Sequence, residues 1–300
     1  MKIATLKNYF GLVRFSHTIF ALPFALLSAA IAIRMGLPEG NQRLPQDLLG
    51  IVLCMVSART AAMAFNRVVD RTFDAANPRT ETRHLPTGQV SVGEAVTLVV
   101  VSSLLFIAAT LIFLPNRLPL LLSLPVLVIL LGYSLSKRFT SLAHYWLGCS
   151  LGVAPIGAWI ALRGAVVERD PFDLAAAILI GLIVIAWVSG FDILYACQDA
   201  EFDREHGLRS IPAAIGIKWA MQLARVNHVV MLLFLTVLPL LVPGLGYVYF
   251  TGVLLSGGLL VWEHRLVRPD NLLLVNVAFF NANSLIGLIL LGVVVTDLWL

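Results

Sequence analysis

Hydrophobic positions along this chain gather into long runs separated by short polar stretches. Nine runs, at roughly 16–35, 47–65, 94–114, 118–135, 142–162, 174–195, 222–242, 246–262 and 273–296, are each about the length needed to cross a bilayer. A helix requires about 20 mostly apolar residues to traverse a hydrocarbon core of about 30 Å. Polar punctuation such as Pro38-Glu39-Gly40-Asn41 and Leu114-Pro115-Asn116-Arg117 sets the runs apart. The break at Pro243-Gly244 is the least marked, and a re-entrant hairpin is the alternative there. The first run follows Lys2, Lys7 and Arg14 and holds small residues at Ser28-Ala29-Ala30, as a secretory signal would. Its length, Arg34 and the eight runs beyond it favour a retained first span. The pattern therefore predicts an all-α, polytopic membrane protein with nine transmembrane helices, forming a single domain over residues 1–300.

Composition removes the competing classes. The chain is 59% hydrophobic and only 13% charged, with a mean hydropathy of +0.90. A soluble chain carries about 25% charged residues, so too few charges are present here to coat a water-soluble fold, and disorder is excluded by the apolar content. Cys54, Cys149 and Cys197 lie in or at the end of apolar runs and are read as free thiols. Of the 21 Lys and Arg residues, fifteen fall at the N-terminus and in the loops after even-numbered runs, five on the other side, and Arg59 inside a run. That asymmetry places the N-terminus and the long loops in the cytoplasm. The net charge of +4 then reflects topology and anionic ligands, with no call for nucleic acid.

The acids are distributed unevenly. Five of the ten aspartates fall in two short stretches, one with Asn66, Asp70 and Asp74, the other with Asp192, Tyr195, Asp199 and Asp203. Steps of three and four keep such residues on one helical face. Each stretch leaves the cytoplasmic end of a run and is followed by a similar motif, Arg83-His-Leu-Pro86 and Arg209-Ser-Ile-Pro212. The four-run offset preserves orientation and suggests a degenerate repeat of four-helix units, with acidic loops 66–86 and 192–212 facing each other. Carboxylates in a row repel one another unless a cation lies between them. Mg²⁺ favours one or two protein carboxylates and takes its other ligands from water and phosphate oxygens. Two facing rows suit a diphosphate clamped through Mg²⁺. A single DxxxD is often no more than a solvated helix end; two in phase on one side argue against that.

Cations flank the acids. Arg67, Arg71, Arg83, Lys137, Arg138 and Arg209 occupy the same group of loops and can neutralise a diphosphate. Arg67 and Arg71 serve equally well as orientation residues, whereas Lys137-Arg138, one turn after Tyr133, suits a diphosphate better. Arg59 precedes Asn66 by seven residues and so lies on the same face, about 10 Å deeper in the membrane. A charge at that depth is a functional candidate by default, as an anchor for a small anionic acceptor or for the diphosphate; snorkelling or a structural ion pair is the alternative.

With these residues in view the chain closely resembles the UbiA family of intramembrane aromatic prenyltransferases. Ala58-Arg59 through Asn66-Arg-Val-Val-Asp70-Arg-Thr-Phe-Asp74 is similar to the branch acting on 4-hydroxybenzoate. Asp192-Ile-Leu-Tyr195-Ala-Cys-Gln-Asp199, Tyr133-Ser-Leu-Ser-Lys137-Arg138 and Arg14-Phe-Ser-His17-Thr-Ile-Phe20-Ala-Leu-Pro23 agree with it. Departures are His84, where the family commonly has proline, and Arg209, where lysine is frequent; both bear on loop shape more than on charge. The resemblance implies a helical bundle around a central cavity open sideways to lipid. It implies that Asp70, Asp74, Asp199 and Asp203, with Asn66 and Asp192, hold Mg²⁺ against a polyprenyl diphosphate. An allylic cation is then attacked by a ring carbon of an aromatic acid, most directly 4-hydroxybenzoate in ubiquinone biosynthesis, with a naphthoate of menaquinone biosynthesis as the alternative acceptor. Tyr133 and Tyr195 are placed to shield the cation, or serve as ordinary interface tyrosines. Phe20 and Phe24 are candidates to line the tail channel.

The implied setting is a bacterial inner membrane, with substrates and lipid as partners and no obligate protein partner evident. A transporter is the rival of another class. It would place charges or broken helices near the midplane, and here the acids sit at one edge. A CDP-linked lipid phosphotransferase would show glycine and arginine between its acids, and neither stretch does.

Overall fold

A backbone amide inside a bilayer finds no water, so an apolar run must satisfy its own hydrogen bonds as a helix. The computed structural model describes residues 11–12, 21–38, 43–272 and 274–300, and their only strand-like feature is one bridge between Arg268 and Asn271. Lys2, Lys7, Arg14, His17 and Phe20 lie outside the described residues. In chain order the helices are α1 (Leu22–Arg34), α2 (Leu44–Ala76), α3 (Val92–Thr110), α4 (Leu118–Ser136) and α5 (Ala143–Val167). They continue as α6 (Ala175–Ala196), α7 (Ala200–Glu205), α8 (Ile211–Ile215), α9 (Ile217–Val237), α10 (Tyr247–Leu266) and α11 (Val275–Trp299). Prolines open α1, α2 and α4, where the missing N–H costs nothing. A reciprocal capping box between Ser91 and Glu94 starts α3.

Every apolar run contains a helix, although the ends differ. The second run was expected to stop near residue 65, whereas α2 continues to Ala76 because polar residues leave the backbone hydrogen bonds intact. Among the described residues, seven helical segments are long and apolar enough to cross a membrane. The 13 described residues of α1 form a shorter apolar helix. Helix α10 is not among the seven: Thr251, Ser256 and three glycines dilute it, and it ends in Glu263-His264-Arg265. The architecture is that of an all-helical, polytopic membrane protein.

The centre of the bundle is α6. In the apolar window of its span 72% of the residues are buried inside the protein, against 22% for α4. Glycines let α5 approach it closely. A Cβ at Gly152 would lie 2.9 Å from the Gly181 carbonyl oxygen, one at Gly181 the same distance from the Gly152 oxygen, and one at Gly148 2.9 Å from the Ile185 oxygen. On another face of α6, Trp187 donates to Asn283 Oδ1 at 2.7 Å, and the Asn283 amide donates to Glu263 at 2.8 Å. His228 packs where a Cβ on Gly190 would stand 2.3 Å from its ring, and it pairs with His264 at 2.9 Å. These polar contacts join α6 to α9, α10 and α11.

The glycine seam generates a stability prediction. Gly152→Ala or Gly181→Ala forces a methyl against backbone, and overpacking of this kind costs about 1–3 kcal/mol. Each variant is expected to unfold several degrees below the wild type in a detergent thermal melt. Gly93→Ala, where nothing lies within 4 Å of the added Cβ, is expected to match or exceed the wild type.

Candidate active site

The eleven residues by which α2 outruns its apolar run carry the first acidic row. Asn66 donates to Asp70 Oδ2 across one helical turn at 2.8 Å. Asp70 also accepts from Arg138 Nη2 at 3.2 Å, and the same guanidinium donates to the Val69 carbonyl at 2.7 Å. Asp74, one turn further, pairs with Arg83 Nη1 at 2.6 Å and lies 4.0 Å from the buried Arg67. The first row is therefore held both by its own helix and by cations from two loops.

The second row departs from expectation. Asp192 and Tyr195 lie on α6, but the helix ends at Ala196 and a 3-10 turn, Cys197–Asp199, intervenes before α7 begins at Ala200. The four residues are thus not one continuous helical face. At the break, Asp199 has φ −104° and ψ 4°, and its carboxylate is gripped from outside the helix. Arg79 Nε donates to Oδ1 at 2.8 Å and its Nη2 to Oδ2, while Asn77 Nδ2 donates to Oδ1 at 3.1 Å. The Tyr195 hydroxyl accepts from Arg79 Nη1 at 2.9 Å, and the Arg79 Cζ lies 5.1 Å from the Tyr195 ring centre. These contacts bring the loop after α2 onto the end of α6. Asp203 follows on α7 and is buried.

Both rows, Tyr133, Lys137, Arg138 and Arg59 line one cavity of 270 Å³. Lys137 follows the last residue of α4 and lies between the rows. Burial opposes its charge, but the carboxylates of Asp203, Asp192, Asp199 and Asp70 outweigh that and hold its pKa above the usual 10.5. Arg79 is likewise held above its ordinary value: burial works against the charge, and hydrogen bonding to Asp199 overrides it. Two predicted residues lie elsewhere. Arg71 is exposed and donates to its own helix at Val68, and Arg209 is exposed and donates to the Phe139 carbonyl at 2.7 Å. The Arg209 backbone N–H also donates to the Lys137 carbonyl at 2.7 Å, so Arg209 fastens two loops together outside the cavity lining.

Deeper in the bundle, Arg59, Met63, Tyr133, Leu147 and Leu151 line this cavity and also a second, apolar chamber of 380 Å³. The chamber runs among α2, α3, α4 and α5 past Met55, Leu130 and Phe106 to Phe113 and Ile160. Among the described residues Arg59 has no ion-pair partner, and its Nε is buried without a hydrogen bond. A structural ion pair therefore does not account for it. Phe24, expected along a tail channel, packs instead on Trp187 at 5.0 Å between ring centres.

The donor set suits Mg²⁺. Asp203 Oδ2 is buried without a hydrogen-bond partner, and so is Asp74 Oδ2, with Arg67 Nη1 no nearer than 4.0 Å; such a carboxylate oxygen is costly unless a cation satisfies it. Among the described residues no three acidic, histidine or cysteine side chains form a cage by themselves. Sequence reasoning missed Arg79, Asn77 and His144. Arg79 was visible only as one loop cation among many; the Asn-Pro-Arg turn that aims it at an acid 120 residues away leaves no spacing pattern.

Comparison with known proteins shows what the chain as a whole is similar to. A model described as the UbiA prenyltransferase family matches residues 21–285. A 4-hydroxybenzoate octaprenyltransferase of Alkalilimnicola ehrlichii is 31% identical over 287 residues, 95% of this chain and 92% of the relative. A second so named, from Francisella tularensis subsp. novicida, is 28% identical over 293 residues, 95% of each chain. The apo structure of a UbiA homolog from Aeropyrum pernix K1 superposes with a TM-score of 0.79 at 31% identity, covering 94% of this chain and 98% of its own. A homolog from Archaeoglobus fulgidus, solved with DMAPP and Mg²⁺, shares the fold at a TM-score of 0.64 and 18% identity, covering 96% of this chain and 99% of its own.

Lys137 supplies a pH prediction. Its pKa is higher folded than unfolded, so its contribution to stability is complete below the unfolded value and vanishes as pH rises through the folded one. Lys137→Met is expected to melt several degrees below the wild type at pH 8. The gap should narrow at pH 11; thermal unfolding in detergent at the two pH values measures it.

Proposed function

The chain belongs to the UbiA prenyltransferase family, and from that premise we propose that it transfers a polyprenyl group from a polyprenyl diphosphate to a ring carbon of an aromatic acid, 4-hydroxybenzoate first among them, with Mg²⁺ as cofactor. One observation carries the reading. The polar cavity that gathers both acidic rows and their cations continues, past Arg59 and Tyr133, into an apolar chamber. Such a site accepts a molecule with a strongly anionic head and a hydrocarbon tail.

Asp70, Asp74, Asp199 and Asp203, helped by Asn66 and Asp192, are the groups that would hold the cation. Mg²⁺, when bound, neutralises the diphosphate oxygens and makes the group a better leaving group. Lys137, Arg138, Arg67 and Arg83 add fixed positive charge where negative charge grows as the allylic C–O bond breaks. The electron pair of that bond leaves with the diphosphate. Tyr133 and Tyr195 line the cavity and, with the apolar wall, would keep water from the resulting allylic cation. The ring carbon of the acceptor forms the new C–C bond and then loses its proton, so no side chain acts as nucleophile. Arg59, with no ion-pair partner among the described residues, receives the acceptor carboxylate. The same residue serves a naphthoate equally well, which leaves the acceptor to experiment.

On this reading all nine apolar runs span the membrane, α1 and α10 included, and the acidic end faces the cytoplasm of a bacterial inner membrane. The Lys and Arg asymmetry supports that orientation. The two acidic stretches, four runs apart, fit a single domain built from a degenerate repeat.

The purified protein with Mg²⁺, a polyprenyl diphosphate and a panel of hydroxybenzoates and hydroxynaphthoates is expected to give a C-prenylated acid detectable by mass spectrometry, and none with EDTA. Asp70→Ala and Asp199→Ala should each lower kcat by about 10²–10³-fold, the scale seen when one electrostatic stabiliser is removed. Arg71→Ala and Arg209→Ala, off the cavity, should leave KM for the diphosphate within about twofold, on the scale of surface substitutions. Full activity in Asp70→Ala, or no product with any acceptor, refutes the proposal.

A further inference from the structure

His144 was not singled out by the sequence, where it is a lone histidine at the start of an apolar run. It is the second residue of α5 and is completely buried. Its Nδ1 lies 2.6 Å from Asp192 Oδ2, and its Nε2 lies 3.3 Å from the backbone nitrogen of Ile211. A backbone amide can only donate. Nε2 must therefore carry the lone pair, Nδ1 carries the proton, and that proton is directed at the carboxylate. The two contacts together select one neutral tautomer with no choice left to it. Among the described residues Asp192 has no other hydrogen bond or ion pair, although it lines the cavity with a 22% exposed side chain.

The contact to Ile211 also has a structural meaning. Ile211 follows the second acidic loop, and that loop docks on the α4–α5 corner at two points. One is the Arg209 N–H on the Lys137 carbonyl at 2.7 Å; the other is the Ile211 N–H on His144. Ser189 on α6 completes the corner by donating to the His144 carbonyl at 3.4 Å. His144 thus joins the docked loop, α5 and the carboxylate of Asp192.

We propose that His144 is a positioning residue: as the Nδ1–H tautomer locked by Ile211, it fixes one oxygen of Asp192 and leaves the other for the divalent cation and the diphosphate. The inference rests on the prenyltransferase reading and deepens it. Partners of this kind orient metal-bound carboxylates, and their loss typically lowers metal affinity 10–100-fold.

The test uses full-length protein in nanodiscs, with Mn²⁺ binding followed by electron paramagnetic resonance in the presence of a non-reactive prenyl thiolodiphosphate. His144→Phe keeps a ring and removes the donor; it is expected to raise the Mn²⁺ concentration for half-saturation by about tenfold. It should likewise raise the Mg²⁺ needed for half-maximal turnover, with kcat at saturating Mg²⁺ changing less. His144→Asn, whose amide nitrogen can stand where Nδ1 stands, is expected to recover binding to within about threefold. A folded His144→Phe protein that binds Mn²⁺ as the wild type does overturns the proposal, and so does an Asn variant no better than Phe. A second measurement does not depend on the Phe variant folding. In ¹⁵N-histidine-labelled protein, with the resonances assigned by difference from His144→Asn, Nδ1 of His144 should be protonated and Nε2 bare. The opposite tautomer also overturns the proposal. Wild-type protein that binds neither Mn²⁺ nor the analogue would instead defeat the prenyltransferase reading itself.

Discussion

Five carboxylates brought together at one end of an apolar bundle repel one another and resist leaving water, and the rest of the site is organised around that constraint. A buried charge is costly without a partner at hydrogen-bonding distance, and four of the five carboxylates have one. Asp70 has Arg138 and Asn66, Asp74 has Arg83, Asp199 has Arg79 and Asn77, and Asp192 has His144. Lys137 lies in the combined field of both rows. The partners come from the loop after α2, the α4–α5 corner and α5 itself, so neutralising the acids also closes the polar end of the bundle. Fold and site are two readings of one electrostatic requirement.

The features legible in the sequence were those with a period. Apolar runs located the long helices among the described residues, and steps of four matched the row on α2, whereas the second row is broken after Ala196. What stayed hidden depends on contacts between distant segments. Arg79 meets Asp199 and His144 meets Asp192 across 120 and 48 positions, and no local spacing encodes either. The break at Asp199 was hidden for a related reason: Ala196 to Ala200 contains no proline or glycine, and only the grip of Arg79 and Asn77 on the carboxylate distinguishes it. Arg71 and Arg209 show the converse error. Both lie close in sequence to the acids, yet local geometry turns them onto carbonyls outside the cavity lining. Hydropathy marked only where the apolar run stops, near residue 65; the helix beyond it, ending at Ala76, was marked by the steps of four from Asn66 to Asp74.

Arg59 marks the border between two solvents within one protein. On one side are carboxylates, guanidinium groups and an ammonium; on the other are Met55, Leu130 and Phe106. A long-tailed diphosphate divides at the same place, since its head costs too much in the chamber and its tail gains nothing among charges. The chemistry proposed here needs that border, because the reacting carbon is the one where tail meets head.

The glycine seam between α5 and α6 has a consequence for the chamber. Backbones in contact at Gly148, Gly152 and Gly181 cannot slide without a clash, so α5 presents a stiff wall. Across the chamber the other walls are less enclosed by protein: 22% of the apolar stretch of α4 is buried and 28% in each of α2 and α3, against 56% for α5. Lipid lies behind them, and lipid is a fluid that yields at little cost. The chamber is therefore a vessel with one rigid side and one compliant side. On the proposed function, tails of different bulk would be accommodated by displacing membrane, while Asp192, anchored on α6, keeps its place.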